Sequence, residues 1–344
     1  MARRPGAANL LAFIRGEQTD AVRALEDRIG GEAIGRADED FQALQRRTLT
    51  AWTVAFGGPQ QQATDAGTLR RLLAAVRAAV RRILGPLAPR SRRALDRRLD
   101  EAVTLGAQQH QAYLADTAGR QRRRTSPAPS RSLRSTASAV VDVVARRRDR
   151  ALQLLRMPVA TRWSRVATGI GAARGAIGAI RTHISWAVGQ AVQEGLTAGI
   201  RAIGAQKLWI SERDACVSCA AYAGLLADVD ADFPAGLSWD PAQRGRGESL
   251  PAPPLHPNCR CRCVAWKPEW ASDGIPSLPD ALRREARRSI ARGWSLPTES
   301  GAARIRAARE LLATGANLPK SVEEFAAHAV AAGRFANRTV PTGP

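Results

Sequence analysis

The chain has 344 residues, of which 44% are hydrophobic and only 5% aromatic. That excludes a disordered polymer and favours helices packed through Ala, Leu, Val and Ile over a sandwich of sheets. The formal charge of +21 points to a polyanionic partner, nucleic acid before others.

Only Lys207, Lys267 and Lys320 among the basic residues are lysine, an Arg preference that a GC-rich genome also produces. Such a bias explains the choice of Arg over Lys but not the surplus of positive charge. The opening "MARRPGAANLLAFIRGEQTD" lacks the apolar core and cleavage site of a secretory signal. The weakly polar run 166–205 is broken by Arg174, Arg181, His183, Glu194 and Arg201, so no membrane span is expected. The expected setting is intracellular and reducing, where clustered cysteines bind metal more often than they pair.

Residues 1–119 read as a helical region. "LRRLLAAVRAAVRRIL" sets Leu69, Leu72, Leu73, Val76, Val80 and Leu84 on one apolar face with arginines opposite. "GPLAP" is expected to end that helix, and Ser91 to cap the next one. Residues 120–137, with "GRQRRRTSPAPSRSLRST" across them, lack periodicity and read as a basic Pro/Ser linker. From Arg120 to Arg150, ten arginines stand against Asp142 and Asp149, a net of about +8. Arg120, Arg122, Arg123, Arg124, Arg131, Arg134, Arg146, Arg147 and Arg148 are therefore the candidate phosphate contacts, with a plain solvated linker as the alternative.

A helical pattern runs from Ser138 to about Met157, before Pro158. The next helical stretch carries glycines at 171, 175, 178, 189, 195, 199 and 204. The spacings Gly171/Gly175 and Gly195/Gly199 suggest close backbone packing, by analogy with membrane helices. Residues 269–344 form a C-terminal helical region, with "SLPDALRREARRSIARGW", "TESGAARIRAARELLATG" and "SVEEFAAHAVAAGRFANR" as three short helices.

All five cysteines lie between these regions. Leu208 to Ile210 fits a strand that enters a turn, and Cys216 and Cys219 then form a C-x-x-C bite. A Pro/Gly-rich loop leads to "LHPNCRCRCVAW", where His256 and Cys259 form a second bite. In an extended strand Cys259, Cys261 and Cys263 would share one face. Cys216, Cys219, His256 and Cys259 make a credible tetrahedral zinc set, and Cys261 can replace His256 or Cys259. Reduced structural cysteines and a disulfide are the alternatives. Four protein ligands would close the site, which suits a structural ion that pins the loop between two strands. No H-x-E or H-E-x-x-H occurs, and His110, His183 and His328 lie in ordinary helical patterns, so no enzyme is expected.

The succession "RTHISWAVGQAVQEG", "LWISERDACVSCAAYAGLL" and "PPLHPNCRCRCVAW" resembles the Mu F-like family of phage minor head proteins, the head-morphogenesis family. The matching residues are Arg181, Thr182, Trp209, Asp214, Cys216, Cys219, Gly224, Pro253, Pro254, His256, Pro257, Asn258, Cys259, Arg260 and Cys261. The likeness spans roughly residues 146–266, inside an expected head-morphogenesis domain of residues 138–268; Cys263 departs from the family pattern. It implies a minor capsid protein that enters the prohead with the portal and supports head assembly, DNA packaging or ejection. Its partners would be portal, capsid or scaffold proteins and packaged DNA, bound non-specifically, and its place the host cytoplasm and then the virion interior. A non-specific, zinc-stabilised DNA-binding protein is the alternative, and a zinc-dependent nuclease a more distant one. The expected fold is mostly α with a small α+β, zinc-knuckle-like module whose short strands bear C-x-x-C and H-P-N-C-R-C.

Overall fold

The structure is a computed structural model that describes residues 7–118, 127–272 and 277–341. Helix α1 (Ala7–Phe13) passes through a π turn, Ile14–Gln18, into α2 (Thr19–Ile34). Helices α3 (Ala37–Phe56), α4 (Ala66–Leu84), α5 (Leu87–Ala118), α6 (Arg131–Ser138), α7 (Val140–Leu154) and α8 (Trp163–Ala202) follow. Then come β1 (Gln206–Ile210), α9 (Val217–Tyr222), β2 (Leu226–Ala227) and β3 (Arg262–Trp266). Helices α10 (Glu269–Ser272), α11 (Leu278–Arg292), α12 (Gly301–Ala313) and α13 (Lys320–Ala331) complete the order. The fold is thus mostly helical with one small antiparallel sheet. Among the described residues no helix is long and apolar enough to cross a membrane.

Two compact units share the chain and are interleaved in sequence. One comprises Arg23–Asp100 and Pro129–Val188, the other Met1–Val22, Glu101–Ala128 and Gly189–Pro344. In the first, Leu69, Leu73, Val76, Val80 and Leu84 form the buried face of α4, while Leu72 is half-buried. Asp65 caps this helix by accepting the Thr68 N–H at 2.6 Å. Helix α5 begins earlier than its sequence suggests. Pro89 falls in its first turn, where a missing N–H costs nothing, so Ser91 lies buried inside the helix and does not cap it. The expected linker over 120–137 is also helical at its end. Ser130 accepts the Leu133 N–H at 3.1 Å and starts α6, while residues 119–126 lie outside the described residues.

In the second unit β1 is the central strand, in the order β2-β1-β3. Leu208 pairs with Leu226 and Val264, and Trp209 with Cys263. Trp209 is fully buried, stacked on Tyr222 with ring centroids 4.7 Å apart and edge-on to Phe233 at 5.2 Å. Close helix packing occurs at one of the two expected glycine spacings. A Cβ at Gly195 would overlap the Val103 carbonyl oxygen, and one at Gly199 would overlap the His110 ring. Gly171 has nothing within 4 Å, and Gly175 meets only the tip of Arg147 at 3.9 Å, so that spacing packs against no backbone.

Candidate metal centre

Neither cysteine motif lies on a strand, which corrects the expected module. Cys216 is the N-cap of α9, extended at φ −61° and ψ 162°, and its Sγ accepts the Cys219 N–H at 3.3 Å. An N-cap and a residue three further on face the same side, so a short helix presents both thiols together. His256-Pro257-Asn258-Cys259 is a tight turn closed by Cys259 N–H to the His256 carbonyl at 3.1 Å. Proline presets the second position, and Asn258 takes the left-handed conformation at φ 60° that the third position requires. The turn swings His256 and Cys259 toward the same side. Arg260 pairs with Asp214 at 2.5 Å and ties the two motif segments together.

Five donors meet there. Cys216, Cys219 and His256 form one group, and Cys219, Cys259 and Cys261 another, with the donor atoms of each group within 4.8 Å of one another. His256 Nε2 is 3.2 Å from both Cys216 Sγ and Cys219 Sγ, and Cys219 Sγ is 3.6 Å from Cys259 Sγ. All five cysteines of the chain are free thiols, so no disulfide ties the two segments. These are the five residues that the motifs single out, and Cys219 is common to both groups.

Cys263, the one cysteine outside this set, is a core residue on β3. It is fully buried, its N–H donates to Gln193 Oε1 at 2.9 Å, and burial pushes its thiol up. The shared face expected for Cys259, Cys261 and Cys263 does not form, because the strand begins only at Arg262.

The electrostatics suit a cation. The Cys219 thiol donates to Cys216 and so holds that thiol well below its ordinary range, with His256 adding to the effect. Cys259 is lowered by its neighbours Cys219 and Cys261, while Cys219, facing Cys216 and Cys259, is raised. Beside the Cys216 thiolate, His256 is pushed up to about 9. Its Nδ1 lies 2.9 Å from the Pro257 carbonyl, which can only accept, so Nδ1 carries a proton and Nε2 is the atom turned to the thiols. This donor set fits a thiophilic metal ion. On binding, the protons on Cys219 and His256 Nε2 would leave, and the ion would cross-link α9 to the turn before β3.

A pocket of about 320 Å³ opens beside the cluster, lined also by Glu212, Asp214, Gln243, Asn258 and Glu299. Burial raises the carboxyl groups of Glu212 and Glu299.

Sequence reasoning missed Lys207, which supports the site from outside both motifs. Lys207 on β1 is 1% exposed. Its Nζ donates to the Ala231 and Pro251 carbonyls at 2.7 and 2.6 Å, gathering the loop that separates the two motifs. A lysine in an apolar strand, "KLWI", was the only signal. His110 is buried in α5, His183 Nε2 contacts the Thr136 carbonyl at 2.8 Å, and His328 is exposed on α13. None of the three belongs to either donor group.

Of the candidate phosphate contacts, Arg120, Arg122, Arg123 and Arg124 lie outside the described residues. Arg131 and Arg134 are exposed on α6, and Arg134 is 3.9 Å from Asp100. On α7, Arg146 and Arg147 are exposed, while Arg148 pairs with its neighbour Asp149 at 3.0 Å. These five belong to the unit of Arg23–Asp100 and Pro129–Val188. That unit holds 26 of the 52 basic residues but 11 of the 31 acidic ones, a net of +15 out of +21.

No protein-family model, no curated protein and no solved structure matches this chain.

Proposed function

We propose that this chain is a minor head protein of a phage, built around a structural zinc centre and lying beside DNA. The observation that carries the reading is the convergence of C-x-x-C and H-P-N-C-R-C into one cluster, tied by the Asp214–Arg260 pair. Those are the residues on which the resemblance to the Mu F-like head-morphogenesis family rests. Four thiols and an imidazole are the soft and borderline donors that zinc prefers. In this role the ion pins the loop between the motifs and performs no chemistry on a substrate. Portal, capsid or scaffold proteins are the proposed partners, and the prohead and virion interior the proposed place. Mass spectrometry of purified proheads and virions tests it. The chain should appear at low copy with the portal, and its absence from both particles would overturn the reading.

The concentration of charge favours a second, compatible reading, non-specific binding to DNA phosphates. Affinity for a random-sequence duplex should then fall steeply as salt rises from 50 to 200 mM, by about 10³ if six or more phosphates are neutralised. A flat salt response would refute it. A nuclease would need an open position on the ion. The charge-transfer and ligand-field spectrum of the cobalt-substituted chain should instead report four protein ligands.

A further inference from the structure

Polar contacts from the C-terminal helices converge on the peptide that carries Cys216. Glu299, just before α12, is 9% exposed, and its Oε1 accepts the Val217 N–H at 2.7 Å. Its Oε2 lies 2.9 Å from Nη2 of Arg304 on α12, whose side chain is 0% exposed. The same Nη2 donates to the Ala215 carbonyl at 2.7 Å. Peptide groups on both sides of Cys216 are therefore bonded to a single buried ion pair. Among the described residues the other Arg304 donors, Nε and Nη1, have no hydrogen-bond partner. A buried guanidinium in that state needs negative charge beside it, and the Glu299 carboxylate supplies it.

Helix α9 has only six residues and cannot hold its shape unaided. Its N-terminal donors need partners, and Glu299 provides one. Further ties run from α11 and α12 to the same neighbourhood. Ser289 Oγ donates to the Arg213 carbonyl, and Arg306 grips Asp240 through two contacts of 2.8 and 2.6 Å. At Gly224, just past α9 and at φ 76°, a Cβ would overlap the Pro279 carbonyl oxygen of α11.

We propose that Glu299 and Arg304 are positioning residues of the metal centre, so that metal occupancy and docking of α11 and α12 form one linked equilibrium. The proposal rests on the reading of the Cys/His cluster as a zinc site. Linkage is reciprocal: a pair that aligns Cys216 for the ion must itself be held better when the ion is bound. Outer partners of metal ligands commonly contribute about 10- to 100-fold in metal affinity.

The experiment measures zinc affinity by competition with a chromophoric chelator, in the full chain and three variants. Glu299→Ala should weaken zinc by about 10- to 100-fold. Glu299→Gln, whose amide oxygen still accepts the Val217 N–H, should recover part of that loss. Val76→Ala, on the buried face of α4 in the other unit, should lower the melting temperature and leave zinc affinity unchanged. In the unsubstituted chain, chelation should speed amide exchange in α11 and α12 together with exchange around Cys216. This second arm decides the matter if Glu299→Ala does not fold. Wild-type affinity in Glu299→Ala, or unchanged exchange over residues 278–313 after chelation, overturns the inference. An unsubstituted chain that binds no zinc instead refutes the zinc reading beneath it.

Discussion

Gly195→Ala tests whether α5 and α8 approach through their backbones. The added Cβ would overlap the Val103 carbonyl oxygen and lie 2.8 Å from the Ala107 nitrogen and 3.0 Å from the Val103 carbonyl carbon. The contact is reciprocal, since a Cβ at Gly106 would overlap the Val192 carbonyl oxygen and sit 3.1 Å from the Leu196 nitrogen. All of these neighbours are backbone, so no rotamer change relieves the clash and the helices must part by roughly 1 Å. Overpacking of this kind costs about 1–3 kcal/mol or more. Alanine returns up to about 1 kcal/mol of helix propensity. The net expectation is a loss of about 2 kcal/mol, read as a lower urea midpoint with an unchanged slope. Gly171→Ala, exposed in the same helix with nothing within 4 Å, is the control and should gain about 0.5–1 kcal/mol. If Gly195→Ala matches or exceeds wild-type stability, the backbone contact does not exist.

Two other perturbations address groups that the fold buries. His110 is 1% exposed, neither ring nitrogen has a hydrogen-bond partner among the described residues, and burial lowers it to about 4. The unfolded chain takes up a proton near pH 6.5 and the folded chain does not. Stability should therefore be full above 6.5 and fall by about 3 kcal/mol on the way to pH 4. His110→Phe should lack that component of the acid limb, and identical pH profiles for the two chains would contradict the assignment. Lys207→Met removes the donor shared by the Ala231 and Pro251 carbonyls, at a cost of about 1–3 kcal/mol for each acceptor left unpaired. Amide exchange should accelerate at the Phe233–Leu250 bridge. Unchanged protection there would show that the lysine does not hold the loop.

What the sequence made legible was local. The apolar spacing of α4 sets its buried face without help from other elements, and the three short C-terminal helices expected from the sequence form, α11 ending at the left-handed Gly293. Four of the five donors were legible because a C-x-x-C and an H-x-x-C each commit two side chains to one side of a short turn, and the fifth, Cys261, lies two residues beyond. The role of Cys263 was not, because it depends on where β3 begins, and pairing with β1 decides that. Gly171/Gly175 and Gly195/Gly199 share one spacing but differ in what lies across from them, which no spacing reveals. Glu299 and Arg304 lie 82 and 89 residues from the peptide groups they bind, so only the folded chain brings them together. Helix α6 hides within a Pro/Ser-rich stretch. The Ser130 cap was its one local signal.

The central proposal is that four of the five donors Cys216, Cys219, His256, Cys259 and Cys261 hold a structural zinc ion. The most direct test is elemental analysis of the purified full chain beside Cys219→Ser and Cys263→Ser. Cys219 belongs to both donor groups, whereas Cys263 belongs to neither. The account predicts stoichiometric zinc in the wild-type chain, its loss in Cys219→Ser and its retention in Cys263→Ser. Zinc absent from the wild-type chain even after reconstitution, or zinc content indifferent to Cys219→Ser, would contradict it.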